Sequence, residues 1–134
     1  MLIMTTIKVE RPKILIVDDD EFLLTALKQF VESLGCETYT AGDGVAALKI
    51  LMKIPMTMVL TDVQMPKMNG MGLLDAVNEK GLNVPVVVMS GYSDYSDQDV
   101  DDRNGVVLLK KPFSAEQLKE IISVYAPHLP KFLP

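Results

Sequence analysis

Short apolar runs recur along this chain, and all but one of them are followed by a segment with helical spacing of apolar residues. This alternation constrains the fold more than any other feature, because short aliphatic and β-branched runs suit strands buried on both faces. The predicted strands are Lys13–Val17, Thr38–Ala41, Met58–Thr61, Val84–Met89 and Val106–Leu109. Strands that alternate with helices predict an α/β fold, a single doubly wound five-stranded parallel sheet with helices on both faces.

The intervening segments carry apolar stripes that are typical of amphipathic helices. The predicted helices are Glu21–Leu34, Val45–Ile54, Gly70–Lys80 and Ser114–Tyr125. Gly35 follows the first helix where a C-terminal cap favours glycine. Ser114 and Gln117 have the spacing of a capping box.

The segment between the last two strands departs from this pattern. Asp94–Asp102 holds five aspartates in nine residues, and only Val100 could face a core. Aspartate is a poor residue for a helix interior. We therefore expect an irregular or short fourth helix there, or a loop.

Size and charge exclude several classes of protein. A chain of 134 residues makes one domain, and its net charge of −5, with two arginines among thirteen basic residues, predicts no direct binding of nucleic acid. No apolar run is long enough to cross a membrane. A single cysteine cannot form an internal disulfide, and the first residues are too mixed for a secretory signal. We expect a cytoplasmic protein.

Polar residues follow four of the predicted strands at the carboxyl edge of the sheet, where parallel α/β folds form their sites. They are Asp18, Asp19, Asp20, Asp62, Ser90 and Lys111. Clustered carboxylates repel one another, and Mg²⁺ is the oxygen-liganded cation that suits few carboxylates and an incoming phosphate. A lysine and a hydroxyl opposite them suit a tetrahedral anion, so the pattern favours phosphoryl transfer.

Each residue alone has a simpler interpretation. Asp20 is better explained as a helix N-cap, Ser90-Gly91 as a turn, and Lys110-Lys111-Pro112 as a solvated corner. Their convergence at one sheet edge is what favours a functional site.

Four local motifs resemble the response-regulator receiver domain of two-component signalling: ILIVDDDE, VLTDVQMPKMNG, VVVMSG and KKPF. The resemblance runs from about Lys13 to Tyr125 and implies strand order 2-1-3-4-5. It divides the chain into an N-terminal extension (1–12), the receiver domain (13–125) and a C-terminal tail (126–134). The ends fit either a single-domain regulator or part of a longer regulator or kinase.

The resemblance also implies roles for single residues. Asp62 would accept the phosphoryl group as an acyl phosphate, Ser90 would hydrogen-bond the phosphoryl oxygens, and Lys111 would pair first with Asp62 and then with the phosphoryl group. The Lys111–Pro112 peptide bond would be cis.

The implied cofactor is Mg²⁺. Asp19 would bind it directly, as would Asp62, while Asp18 would bind it through water. Gln64 would contribute its backbone carbonyl.

The implied function is a phosphoacceptor in a phosphorelay rather than an enzyme, with chemistry limited to its own phosphorylation and slow autodephosphorylation. The donor would be the phosphohistidine of a sensor histidine kinase or a histidine phosphotransfer protein. The domain would then switch conformation, and it could form a weak homodimer through its output face.

Two departures from the family pattern fall on that output face. Leu108, three residues before Lys111, stands where many members have an aromatic residue, and Asp94–Asp102 scarcely specifies a helix. Both put the usual output switch in doubt and leave the phosphorylation residues intact.

Two other functions compete with this interpretation. A haloacid-dehalogenase-type phosphatase would use Asp18 and Asp20, but it needs an acidic pair after the lysine, where only Glu116 and Glu120 of the last helix are present. A receiver-like module that binds partners without being phosphorylated would keep the fold and lose the chemistry.

Overall fold

The five predicted strands form one parallel sheet in a computed structural model that describes residues 10–63, 67–91 and 106–127. The strands are β1 (Lys13–Val17), β2 (Glu37–Ala41), β3 (Met58–Asp62), β4 (Val86–Ser90) and β5 (Val106–Lys110). Their order is β2-β1-β3-β4-β5, and every neighbouring pair is parallel. The predicted fold class and strand order are confirmed.

Within the described residues, three helices connect successive strands and a fourth follows β5. They are α1 (Glu21–Ser33), α2 (Gly44–Leu51), α3 (Gly70–Glu79) and α4 (Ala115–Tyr125). The segment Asp94–Asp102, for which an irregular helix was predicted, lies outside the described residues, as do most of the predicted N-terminal extension and C-terminal tail.

Successive side chains of a strand point to opposite faces of the sheet, and the apolar ones build two cores, one on each face. On one face, Ile14 and Ile16 of β1 pack with α1 and α4, where Ile122 is fully buried. On the other face, Leu15 and Val17 pack with α2 and α3. Helices on both faces leave the carboxyl edge of the sheet open for polar groups.

The helix ends follow local chemistry. Asp20 caps α1, Gly35 follows the C-cap of α1 with φ 102°, and Ser114 and Gln117 make the predicted capping box of α4. Helix α2 ends at Leu51, three residues earlier than predicted, because Lys53 and Ile54 both donate to the Ile50 carbonyl in a closing turn before Pro55.

No helix among the described ranges combines the length and apolar content that a bilayer crossing would require.

Candidate functional site

The carboxyl ends of β1, β3, β4 and β5 bring the predicted site residues to one edge of the sheet. One carboxylate oxygen from each of Asp18, Asp19 and Asp62 lies within 4.8 Å of the other two. The register pairs Asp62 with Met89 and Ser90 with Lys110, so β3, β4 and β5 end side by side. Residues separated by tens of positions in sequence are therefore neighbours in space.

Asp18 is the most deeply buried member of this cluster, with 1% of its surface exposed. Its Oδ1 accepts a hydrogen bond of 2.9 Å from the Asp20 amide, while Oδ2 is buried and has no hydrogen-bond partner among the described residues. Burial, reinforced by the negative charge of Asp62, raises the pKa of Asp18 above its ordinary value of 3.8. A buried carboxylate oxygen without a donor is a position that a cation or its bound water would satisfy.

Asp19 and Asp20 follow Asp18 in sequence but differ in function. Asp19 is exposed and directs a carboxylate oxygen toward the cluster. The Asp20 carboxylate instead accepts hydrogen bonds from the amides of Phe22 and Leu23 at 3.0 and 3.3 Å, the geometry of an N-cap. The prediction that Asp20 is a cap residue is confirmed. A phosphatase site that uses Asp18 and Asp20 as its acidic pair is therefore not formed here.

Asp62 and Lys111 make a direct ion pair across the site. Lys111 Nζ lies 3.0 Å from Asp62 Oδ1, and the Val63 amide donates to the same oxygen at 2.9 Å. The Lys111 side chain is 31% exposed and that of Asp62 15%, so the pair is half-buried and still accessible to an incoming group. The Lys111–Pro112 peptide bond is cis, as predicted.

Ser90 is buried at the end of β4, and its hydroxyl has no hydrogen-bond partner within the described part of the chain. Its carbonyl accepts a bond of 2.7 Å from the Lys111 amide, which ties the ends of β4 and β5 together. A buried hydroxyl without a partner is rare, since the unmade bond costs about 1–3 kcal/mol. Gln64, the remaining predicted metal ligand, lies outside the described residues.

Two glycines that the sequence interpretation did not single out lie against this site. A Cβ on Gly70 would overlap the carbonyl oxygen of Asp62, and a Cβ on Gly44 would lie 2.5 Å from the carbonyl oxygen of Met68. Gly70 could have been suspected, because it directly follows Asn69, the N-cap of α3. Nothing in the local sequence links Gly44 to Met68.

Comparison with known proteins agrees with this geometry. Residues 14–123 match the family model described as the response regulator receiver domain. The chain is 36% identical over 112 residues to the Regulator of RpoS of Escherichia coli K12, covering 82% of this chain and 33% of that protein. It is 35% identical over 119 residues to the Sensor histidine kinase RcsC of Salmonella typhi, covering 88% of this chain and 13% of that protein. The chain thus spans a third or less of these curated relatives.

Solved structures show the same fold. The receiver domain of the Francisella response regulator 1452 aligns with a TM-score of 0.79 at 28% identity, covering 87% of this chain and 98% of that one. The chemotaxis protein CheY4 of Vibrio cholerae aligns with a TM-score of 0.77 at 26% identity, covering 87% and 99%.

The chain therefore belongs to the response regulator receiver domain family of two-component signalling. As a receiver domain it is a signalling phosphoacceptor of a phosphorelay and not a conventional enzyme.

Proposed function

We propose that Asp62 accepts a phosphoryl group from a phosphohistidine in a Mg²⁺-dependent reaction. The observation that carries this proposal is the 3.0 Å contact between Asp62 Oδ1 and Lys111 Nζ beside two further carboxylates. The Lys111 ammonium carries a positive charge beside the acceptor and is placed to pair with an arriving anion. Phosphoryl transfer requires little more than such positioning and charge neutralisation.

The hydrogen bonds of Asp62 suggest which oxygen attacks. Those from described residues reach Oδ1, which accepts from Val63 and Lys111. Oδ2 is then the oxygen that forms the new bond to phosphorus. The bond between phosphorus and the histidine nitrogen breaks at the same time, and the ring leaves as a neutral imidazole with one proton on one of its nitrogens. The Lys111 ammonium then exchanges its ion pair with the carboxylate for one with the phosphoryl oxygens.

Ser90 supplies a hydrogen-bond donor for those oxygens. Its hydroxyl is buried without a partner among the described residues, so a bond to a phosphoryl oxygen would satisfy it without breaking an existing one. The Lys111 amide donates to the Ser90 carbonyl at 2.7 Å, so the backbones that carry both anion-binding groups are held together.

The carboxylate cluster fits Mg²⁺, a cation that takes oxygen ligands and binds beside substrate phosphates. Asp19 and Asp62 would hold it directly, Asp18 would hold it through water, and Gln64 would add its backbone carbonyl. The chemistry that Mg²⁺ supplies when bound is neutralisation of charge on the transferring phosphoryl group. The orphaned Oδ2 of Asp18 supports this assignment.

We further propose a sensor histidine kinase or a histidine phosphotransfer protein as the donor, a cytoplasmic location, slow autodephosphorylation and a weak homodimer through the output face. The similarity to a sensor histidine kinase supports the first of these.

Incubation with acetyl phosphate and Mg²⁺ tests the acceptor, with intact mass as the readout. The parent should gain one phosphoryl group and Asp62→Asn none, because asparagine keeps the shape and loses the nucleophile. Asp20→Asn is the matched control, since asparagine caps a helix as well as aspartate and lies outside the cluster. Labelling that persists in Asp62→Asn would exclude Asp62, and a parent that takes no label would favour a receiver-like module that binds partners without being phosphorylated.

A further inference from the structure

The amino end of α2 contacts Met68, which lies in the connection between β3 and α3. The Gly44 amide donates a hydrogen bond of 3.0 Å to the Met68 carbonyl. A Cβ on Gly44 would lie 2.5 Å from that oxygen and 2.8 Å from Cβ and Cγ of Met68. The two backbones can approach this closely because residue 44 has no side chain.

A second close contact continues from Met68 to the acceptor. Two residues after Met68, the Gly70 amide donates to the Val63 carbonyl at 2.8 Å, and a Cβ on Gly70 would overlap the carbonyl oxygen of Asp62. Val63 in turn donates its amide to Asp62 Oδ1 at 2.9 Å. Three hydrogen bonds and the short chain segment from Met68 to Gly70 therefore link Gly44 to the Asp62 carboxylate.

Helix α2 is a firm support for this link. Ala47 is fully buried and Leu51 almost so, which fixes the helix against the sheet. Lys67 also pairs with Asp43 at 3.7 Å, but the Lys67 side chain is 70% exposed, and an exposed pair of this kind adds little. The backbone contact at Gly44 is the stronger restraint.

We propose that Gly44 is a positioning residue for phosphoryl transfer, through which α2 sets the position of Asp62. The inference rests on the proposed function of Asp62 and adds a residue from an element that contributes no group to the site. It predicts that displacing Met68 lowers the transfer rate, even where the protein stays folded, because the error is passed through Gly70 to the acceptor.

Gly44→Ala tests the proposal against Gly42→Ala, a substitution in the same turn at which a Cβ meets nothing within 4 Å. Each protein is incubated with acetyl phosphate at saturating Mg²⁺, well below its Tm, and the initial rate of labelling is divided by the folded fraction from circular dichroism. Since a misplacement of about 1 Å can cost about 100-fold in rate, we expect Gly44→Ala to be at least about tenfold slower. Gly42→Ala should match the parent.

Val31→Ala tests for a purely structural effect, because it removes a fully buried side chain from α1, on the opposite face of the sheet from α2. This variant should lose stability and keep its labelling rate per folded molecule. The proposal is overturned if Gly44→Ala labels as fast as Gly42→Ala, or no slower than Val31→Ala. Failure of the proposed function looks different, because labelling would then persist in Asp62→Asn.

Should Gly44→Ala not fold, the parent decides the matter through amide exchange measured by NMR. Fluoroberyllate binding at the acceptor is an equilibrium, and coupling between binding equilibria is reciprocal, so a contact that favours the occupied geometry of Asp62 is itself stabilised when fluoroberyllate binds. We expect fluoroberyllate with Mg²⁺ to slow exchange of the Gly44 amide at least about threefold more than that of the Thr57 amide, which donates to Lys13 at the opposite edge of the sheet. Equal slowing at both amides would overturn the proposal.

Discussion

Asp18→Asn should stabilise the metal-free protein, although it alters a site residue. The Asp18 carboxylate is buried, its Oδ2 has no hydrogen-bond partner among the described residues, and oxygens of Asp19 and Asp62 lie within 4.8 Å. Burial and the charge of Asp62 both raise its pKa. The ionised form is therefore the unfavourable one in the folded protein, and asparagine removes that charge with almost no change of shape.

The magnitude follows from Coulomb's law. Burial is the largest cause of the raised pKa, and the charge of Asp62 adds to it. Two full charges 4.8 Å apart, the distance within which the nearest oxygens lie, repel by about 3.5 kcal/mol at an effective dielectric constant of about 20, and sharing each charge between two oxygens lowers this figure. Attraction to Lys111 offsets part of it. The hydrogen bond from the Asp20 amide also weakens when its acceptor becomes neutral, by about 1 kcal/mol. A net gain of about 1–2 kcal/mol remains, which raises the Tm of a chain this size by roughly 4–8 °C.

The sign of the pH dependence is fixed by the same cause. Because the folded pKa of Asp18 lies above its unfolded value, the folded state holds this proton more tightly. In the metal-free protein, the contribution of Asp18 to the free energy of unfolding is therefore greatest below the unfolded pKa. It is lost as the pH rises through the folded pKa. Asp18→Asn should flatten that decline.

Thermal melting of the parent, Asp18→Asn and Asp20→Asn, with EDTA and with Mg²⁺, is the assay. We expect Mg²⁺ to raise the Tm of the parent and of Asp20→Asn, and to raise that of Asp18→Asn much less. Asp20 carries the same charge two residues away but caps α1, so its substitution should change stability by no more than about 0.5 kcal/mol. If Asp18→Asn melts below the parent in EDTA, or responds to Mg²⁺ as the parent does, the account of Asp18 is wrong.

Two further predictions concern residues away from the site. Cys36 is buried in the core and burial raises its pKa to about 11, so the thiol should react with a disulfide reagent at pH 8 only as fast as the protein unfolds; rapid labelling without denaturant would contradict its burial. Ser114→Ala should cost about 1 kcal/mol in urea unfolding, because it removes the hydroxyl that accepts from the Gln117 amide, while Ser114→Asp should retain most of that stability; equal losses in both variants would show that the side-chain cap contributes nothing.

Much of the fold was predictable because its signals are local. The strands end at polar residues, each helix has an apolar stripe, and Gly35, Asp20 and Ser114 mark helix ends with chemistry that needs no tertiary information. The convergence of Asp18, Asp62 and Lys111 followed from one rule, that parallel strands share a carboxyl edge. The strand topology alone therefore predicted that these residues lie close together, and no knowledge of side-chain packing was needed.

The rest depended on packing between elements. Three consecutive aspartates look alike in sequence, yet one is buried, one is exposed toward the cluster and one caps α1, and this division is decided by how β1 enters the loop before α1. The contact of Gly44 with Met68 likewise arises where α2 packs beside α3. These two residues are 24 positions apart, and no sequence motif predicts that they are in contact.

Leu108, at the position where many receiver domains have an aromatic residue, differs from the candidate site residues in having an apolar side chain. Leu108 lies in β5 opposite Val88 of β4 and packs with the core formed by α2 and α3. Its side chain has no polar atom, so it cannot transmit a change at Ser90 through a hydrogen bond. The Ser90 carbonyl, however, already accepts from the Lys111 amide. The backbones of the two residues proposed to bind the phosphoryl oxygens are thus joined, so a displacement of either backbone is shared by the ends of β4 and β5.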